Sequence, residues 1–480
     1  MRLTGKIFGI LIWLGMSFCY PQMFKFQQQV PQFQHVIVIV QENRTPDNLF
    51  QGLCVPPYGS SASCSTKPNS SQYDIQTKHW KDKSSLTGTT RPRPVALTAN
   101  YEVGHSHSDF VVMCNADPVT GACKMDGASD EVCFNGSCPT KPQFRFVANS
   151  NGIVNPYLEL ATQYGWANYM FQTNQGPSFP AHQFLFGGTS APTAFDDASG
   201  VFAAENPSAT INQAGCTAPE GTTVALIDAS GQENQSMFPC FEHQTIADLL
   251  PSTVTWRYYA PNAGSIWTAP NAIQHICEST GPGGKCTGMD WQDNVDLVPA
   301  DVLRDIQNCT LRSLNWVMPT GANSDHPVFT DGGGPSWVAS IVNAIGNSTT
   351  CDSNTGYWNN TVILITWDDW GGWYDHVAPP LLANTSYQYG FRVPFIVVSA
   401  YTPPGYISNR QYDFGVILRF IEHNFGIHEG ALNFADARAN NDLLGFFRLT
   451  LPRTFQPISA SKNADFFLND KRPPTDPDDQ

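Results

Sequence analysis

Val36-Ile37-Val38-Ile39-Val40 runs straight into Gln41-Glu42-Asn43, and Val362-Ile363-Leu364-Ile365-Thr366-Trp367 runs straight into Asp368-Asp369. Consecutive apolar, mostly β-branched residues without polar alternation describe strands covered on both faces, as in a parallel sheet flanked by helices. Ligands of such sheets collect at the carboxyl ends of the strands. Each polar pair alone reads equally well as turn residues after a strand. Two adjacent carboxylates, however, repel unless something positive lies between them. Taken together, Glu42/Asn43 and Asp368/Asp369 predict an oxygen-rich pocket suited to a hard divalent cation.

Outward from these two strands, the 480 residues could hold two or three average domains or one large α/β catalytic domain. Helical spacing is expected over residues 156–169 (Tyr157, Leu160, Ala161 and Tyr164 on one face), over 245–250 before Pro251, and over 337–345 before Gly346. Further strands are expected at 254–259 and 393–399. Asp413 reads as the N-cap of a helix carrying Phe414, Ile417, Leu418, Ile421 and Phe425, closed by Gly426. Strands and helices alternate from about residue 240 onward, which favours one doubly wound α/β domain with loop insertions. Residues 51–150, rich in Gly, Ser, Pro and Cys, read as stapled loops forming a cap over the strand ends. The catalytic domain is expected over residues 31–450, and 451–480 as a Pro- and Asp-rich tail, partly disordered.

The formal charge of −15 argues against a nucleic-acid partner, whose phosphates need clustered Lys and Arg, and against a purely electrostatic grip on anionic membranes. Met1, Arg2 and Lys6 precede the mostly apolar stretch from Ile7 to Tyr20, the pattern of a signal peptide over residues 1–20 and too short for a spanning helix. Export to a secreted or periplasmic location is the expectation, with no transmembrane helix in the mature chain. Of the 13 cysteines, 12 remain once Cys19 leaves with the signal. None forms a C-x-x-C pair, so disulfides in an oxidising compartment are expected rather than a zinc ribbon. Connectivity does not follow from spacing. Pairing of sequence neighbours is the expectation, with Cys309 and Cys351 left over.

Ser178 follows Gly176-Pro177 and precedes Phe179-Pro180, placing its hydroxyl at a turn that opens a helix. On its chemistry it reads first as an ordinary N-cap serine. Beside a cation, with the free N–H groups of a helix N-terminus at hand, it could instead attack phosphorus. Phosphoryl transfer also needs donors around the phosphoryl oxygens and a proton for the leaving group. His105, His107, His275, His326 and His376 are the candidates, and spacing alone ranks none of them.

Gln41-Glu42-Asn43-Arg44-Thr45-Pro46-Asp47-Asn48-Leu49-Phe50 resembles the E-N-R-S-F-D-x-x-F opening of the bacterial phosphoesterase family that contains non-haemolytic phospholipases C and AcpA-type acid phosphatases. His105-Ser106 followed by Met125-Asp126-Gly127 resembles its H-S…M-D-G segment. Ser178-Phe179-Pro180-Ala181-His182 resembles its [ST]-x-P-N-[RH] nucleophile segment, with Ala181 in place of the usual Asn. Ser324-Asp325-His326-Pro327 resembles S-[DE]-H-P, residues 367–377 resemble D-[DE]-x-G-G-[FW]-Y-D-H-V, and Arg392-Val393-Pro394 resembles the R-V-P strand. The similarity runs from about residue 35 to 450, in the family's order.

The resemblance implies an alkaline-phosphatase-like α/β/α sandwich around a mostly parallel sheet, with one divalent metal; Ca, Mg, Mn and Zn all remain open. It implies Glu42, Asn43, Asp368 and Asp369 as metal ligands, joined by Ser178, the nucleophile that becomes transiently phosphorylated. It implies that His105 and His326 contact the phosphoryl group, with His275 as a third histidine. Phospholipase C members commonly carry Asp-Glu where this chain has Asp368-Asp369, and the acid-phosphatase branch carries Asp-Asp. The expected reaction is therefore hydrolysis of a small phosphate monoester, the alternative being phospholipase C action on phosphodiester head groups of phospholipids. No Cys-x-Pro-x-Arg or Ser-x-Pro-x-Arg signature of a sulfatase is present.

Overall fold

In the computed structural model the first of the two apolar runs is strand His35–Gln41 and the second is strand Thr361–Trp367, every residue of both buried. The structure describes Met1 and residues 32–208, 213–382 and 385–475. The expected signal peptide lies outside them, apart from Met1. Among the described residues the main sheet has eight strands: β1 (His35–Gln41), β2 (Gly165–Phe171), β3 (Trp256–Tyr259), β4 (Val295–Asp296), β5 (Leu314–Val317), β6 (Thr361–Trp367), β7 (Phe395–Ser399) and β8 (Tyr406–Asp413). Their spatial order is β4-β3-β5-β1-β6-β7-β2-β8. β7 runs antiparallel to both its neighbours and the other pairings are parallel.

The principal helices are α1 (His107–Cys114), α2 (Asn155–Gln163), α3 (Ser178–Gly187), α4 (Gly334–Asn347) and α5 (Gly415–Phe425). Side chains alternate between the faces of a strand, and laterally paired residues share a face. Trp316 of β5 pairs with Val38, which pairs with Leu364, so all three lie on one face; Trp367, three residues on, lies on the other. The Trp316 indole donates to Leu185 O of α3, and the Trp367 ring meets Tyr157 of α2 edge-on. Helices therefore cover both faces, which gives the α/β/α sandwich.

Three expectations change. The helix expected over 156–169 stops at Gln163, and Gly165–Phe171 is instead the buried strand β2, rich in aromatic residues that suit a covered sheet. The strand that follows the R-V-P segment, β7, runs antiparallel, which agrees with the expected mostly parallel sheet. Asp413 ends β8 rather than occupying the N-cap position, although its carboxylate still accepts from the Gly415 and Val416 N–H groups, which is the work of a cap. The C-terminal segment expected as a tail lies against the body: Ile458 and Phe467 are buried, and Gly321 N donates to Thr475 O. Residues 476–480 lie outside the described set.

Six disulfides are present among the described residues, Cys54–Cys64, Cys114–Cys123, Cys133–Cys138, Cys216–Cys240, Cys277–Cys286 and Cys309–Cys351. The expected pairing of sequence neighbours is the one present, and the two left-over cysteines join each other. Residues 80–144 wrap the loop after β6, burying Trp80, Phe110, Met113, Met125 and Phe144 against Trp370 and Tyr374. Among the described residues no helix is long and apolar enough to cross a membrane.

Candidate functional site

The parallel register of β1 and β6 pairs Gln41 with Trp367, so the next residues, Glu42/Asn43 and Asp368/Asp369, leave the sheet side by side. Asp368 N donates to Gln41 O at 3.0 Å, and Asn43 N donates to Asp368 Oδ1 at 3.1 Å. Asn43 takes the left-handed conformation, φ 60°, which asparagine tolerates better than most residues. The two glycines after Asp369 explain themselves by contact. A Cβ on Gly371 would lie 2.5 Å from Asn43 O, and one on Gly372 would lie 2.6 Å from Gly104 O. Their bare backbones let the β6 loop press against the Asn43 turn on one side and the His105 segment on the other.

Ser178 opens α3 as its first helical residue, with Pro177 in the cap position, so it is not an N-cap serine. Its hydroxyl donates to Asp369 Oδ2 at 3.2 Å, while Asp369 Oδ1 accepts from Gly371 N at 2.6 Å. Of the N–H groups expected to be free at this helix end, Phe179 N donates to Asn206 Oδ1 and Ala181 N to Pro177 O, and Pro180 has none. One turn on, His182 faces the same way. Its Nε2 lies 3.4 Å from Glu42 Oε1 and 3.8 Å from Asp368 Oδ2.

His105 Nδ1 is 3.1 Å from Val103 O, which can only accept, so Nδ1 carries the proton. Nε2 then accepts from Asn43 Nδ2 at 3.0 Å, and this orients the amide with Oδ1 turned away from the ring. His326 is held alike: Nδ1 donates to Pro327 O at 2.8 Å, and Nε2 faces Glu102 Oε1 at 3.5 Å. A lone pair facing a carboxylate is unfavourable, so this pair is suited to holding one proton between its two atoms. The His105 and His326 rings are 6.0 Å apart, centre to centre.

Two buried arginines hold these loops in place. Arg44 donates to Asp325 O through Nε and Nη2, next to His326, and lies over the Trp373 ring. Burial lowers its guanidinium to about 10, opposed by Asp325. Burial likewise pushes Asp325 up to about 6, against the pull of Arg44 and the Tyr157 and Trp367 hydrogen bonds. Arg392 grips Asp375 with two bonds of 3.1 and 2.9 Å. His376 bridges Asp47 and Asp74 at 2.8 and 2.9 Å; burial opposes its charge, but the Asp47 charge and both hydrogen bonds hold it up to about 10.

The structure thus brings Glu42, Asn43, Ser178, Asp368, Asp369, His105 and His326 together, all fully buried. It does not bring His275. That side chain is one-third exposed, between Glu242 and Asp248, and the Asp248 bond holds it up to about 9 against desolvation. Its short helix, Gln274–Cys277, is tied back by Cys277–Cys286 and serves a surface ion-pair cluster. His107 is the first residue of α1, between Ser106 and Asp109 of its capping box, and pairs with Glu233, while His376 belongs to the Arg392 network. Sequence reasoning passed over His182 and Glu102. The four-residue step from Ser178 was a legible signal for the first; Glu102 sits on a three-residue strand and carried none.

The donor set fits a divalent cation. Asn43 Oδ1 and Asp368 Oδ2 are buried and accept no hydrogen bond, and Glu42, His182 and Asp368 each present a donor atom within 4.8 Å of the others. Such oxygen atoms are costly to bury unless an ion or a donor meets them. A cleft of about 40 Å³ has His107, Asn174, Gly176 and Tyr387 on its walls, Gly176 being two residues before Ser178 in the chain.

Comparison with known proteins bears on this cluster. A model described as "Phosphoesterase family" matches residues 33–428. The chain is 22% identical over 446 residues to a hemolytic phospholipase C of Pseudomonas aeruginosa, covering 83% of this chain and 54% of that one. It is 31% identical over 150 residues to a non-hemolytic phospholipase C of Burkholderia pseudomallei, covering 26% and 21%. A solved structure described as a protein in the alkaline phosphatase superfamily from Vibrio parahaemolyticus aligns with a TM-score of 0.30 and 12% identity, over 57% of this chain and 61% of that one. The chain spans about half or less of the length of these curated relatives.

Proposed function

The chain belongs to the Phosphoesterase family, and from that premise we propose that it hydrolyses phosphoric esters through a transient phosphoserine on Ser178, at a site holding one divalent metal. Glu42, Asn43, Asp368, Asp369 and the Ser178 oxygen would hold the ion. The observation that carries this reading is the 3.2 Å bond from Ser178 Oγ to Asp369 Oδ2, at the point where the register of β1 and β6 delivers the other ligands. When bound, the cation supplies positive charge that lowers the serine pKa and neutralises phosphoryl oxygens.

The chain's own groups do the rest. Asp369 Oδ2 already receives the Ser178 hydroxyl proton as a hydrogen bond and is placed to take it as the oxygen attacks phosphorus. The Ser178 O–P bond forms as the ester O–P bond breaks. His326 and Glu102 hold the proton that goes to the leaving oxygen, between Nε2 and Oε1. His105 fixes the Asn43 amide and flanks the phosphoryl group beside His326. Water then attacks the phosphoserine, giving phosphate and restoring the serine hydroxyl.

We place phosphate monoesters first among substrates, on the aspartate at position 369. Phosphodiester head groups are the second reading, favoured by the relatives named as phospholipases C. The six disulfides support a secreted or periplasmic setting. Ser178→Ala is expected to lower turnover of p-nitrophenyl phosphate by roughly 10³-fold or more and to abolish phosphoenzyme trapped by acid quench. Turnover surviving in that variant would refute the nucleophile. Faster cleavage of p-nitrophenylphosphorylcholine than of p-nitrophenyl phosphate by the intact protein would reverse the order of the two substrate classes.

A further inference from the structure

His182 stands on α3 four residues after Ser178, on the same face, and is fully buried. Its Nε2 meets two carboxylates, Glu42 Oε1 at 3.4 Å and Asp368 Oδ2 at 3.8 Å. Donors that share one ion at bond lengths of about 2.0–2.2 Å lie about 3 Å apart when adjacent and a little over 4 Å when opposite. The His182 separations fall in that interval. The second, independent observation is Asp368 itself: Oδ1 is engaged by Asn43 N, while Oδ2, the atom turned toward His182, is buried and accepts no hydrogen bond. Trp267, also buried, packs against the ring with centroids 6.4 Å apart and limits its freedom to swing away.

We infer that His182 is a nitrogen ligand of the metal site, so that the site selects a borderline transition cation of the Zn or Fe class over Ca or Mg. The inference rests on the metal reading of the site proposed above, and adds a ligand and a selectivity to it. Imidazole nitrogen is a softer donor than carboxylate or amide oxygen; it suits Zn, Fe, Ni and Cu, whereas Ca and Mg favour oxygen throughout. Without His182 the set is all oxygen and leaves the metal class open. With it, one buried nitrogen joins Glu42, Asn43, Ser178, Asp368 and Asp369.

The test is metal binding, read without turnover. Full-length protein is stripped by chelation and titrated separately with Zn²⁺, Co²⁺ and Ca²⁺, with stoichiometry from elemental analysis after dialysis. One equivalent of Zn²⁺ is expected, bound more tightly than Ca²⁺. His182→Gln is expected to weaken Zn²⁺ and Co²⁺ by at least about 100-fold, the upper end of what losing a mere outer-shell partner costs, and to leave Ca²⁺ unchanged. In the Co²⁺ protein with ¹⁵N-labelled histidine, one hyperfine-shifted exchangeable imidazole N–H is expected from the wild-type chain, a readout that stands even if the variant does not fold. Absence of that signal, unchanged Zn²⁺ affinity in the variant, or preference for Ca²⁺ overturns the His182 assignment alone. Failure of the wild-type protein to bind any of the three ions overturns the metal reading as well.

Discussion

Glu205 shows what single carboxyl groups near the site contribute. Its Oε1 accepts from His107 N at 3.0 Å, and burial, then the Glu233 charge, push its carboxyl up to about 8. Glu131 is pushed to about 10, by burial and then by Asp109. A carboxyl raised above its unfolded value binds its proton more tightly in the folded chain. Its contribution to stability is fully present below about pH 4.5 and is lost as pH rises through the folded value. For Glu205 the window is therefore about pH 4.5 to 8, and the loss across it is on the order of a few kcal/mol. Thermal midpoints are expected to fall from pH 5 to pH 9, and Glu205→Gln, neutral throughout, should flatten that fall while matching the wild type at pH 5. An equally steep fall in the variant would show that other groups carry the slope. Asp325, Asp375 and Asp413, each pushed by burial to about 6, act in the same direction at lower pH.

At the scale of elements, what was legible follows from how locally each feature is determined. β1 and β6 could be read because an unbroken apolar run has one comfortable place, a sheet covered on both faces. That their ends meet is inferred from the two polar pairs and the habit of ligands to collect at strand ends, while their register is tertiary and had no local signal. β8 went unread because its sequence, Tyr406-Ile407-Ser408-Asn409-Arg410-Gln411-Tyr412-Asp413, is that of a half-exposed edge strand, where polar residues are tolerated and discourage pairing with another chain. His275 was misplaced because its motif match was loose and its true partners, Glu242 and Asp248, lie about thirty residues upstream. The disulfides join sequence neighbours, a pairing that spacing alone did not fix. Cys309–Cys351 is the exception, closing a separation of 42 residues that contains α4 and ties it near the start of β6. Chain entropy for a loop of that length puts its contribution at about 4 kcal/mol. The double substitution Cys309→Ser, Cys351→Ser should lower the denaturation free energy by roughly that amount, whereas removing Cys133–Cys138, only five residues apart, should cost less. Equal losses from both would argue against a loop-entropy origin.

For the whole molecule, the candidate site is a cost that the fold must meet. Glu42, Asp368 and Asp369 lie fully buried in a chain of formal charge −15, and His182 stands beside the first two. Buried like charges of this kind are retained when a cation or protons compensate them. The loops that carry them are fastened independently, by Arg44 on the Asp325 backbone and by Arg392 and His376 on Asp375, Asp47 and Asp74. Removal of the ion should therefore lower stability without dismantling the fold. At a free metal concentration of about 1,000 times Kd, binding stabilises by about 4 kcal/mol. With unfolding entropy of about 2 cal/mol/K per residue over the unit from Pro31 to Gln480, that corresponds to a shift of about 4 °C. Chelation is expected to lower the thermal midpoint by that order, with near-identical far-ultraviolet circular dichroism before heating, and readdition of metal should restore it. In Asp368→Asn, which removes a ligand charge from the centre of the cluster, the chelation shift should shrink to near zero. An undiminished shift would place the stabilising ion elsewhere, with Glu102, His105 and His326 the adjoining set whose donor atoms lie within 4.8 Å of one another.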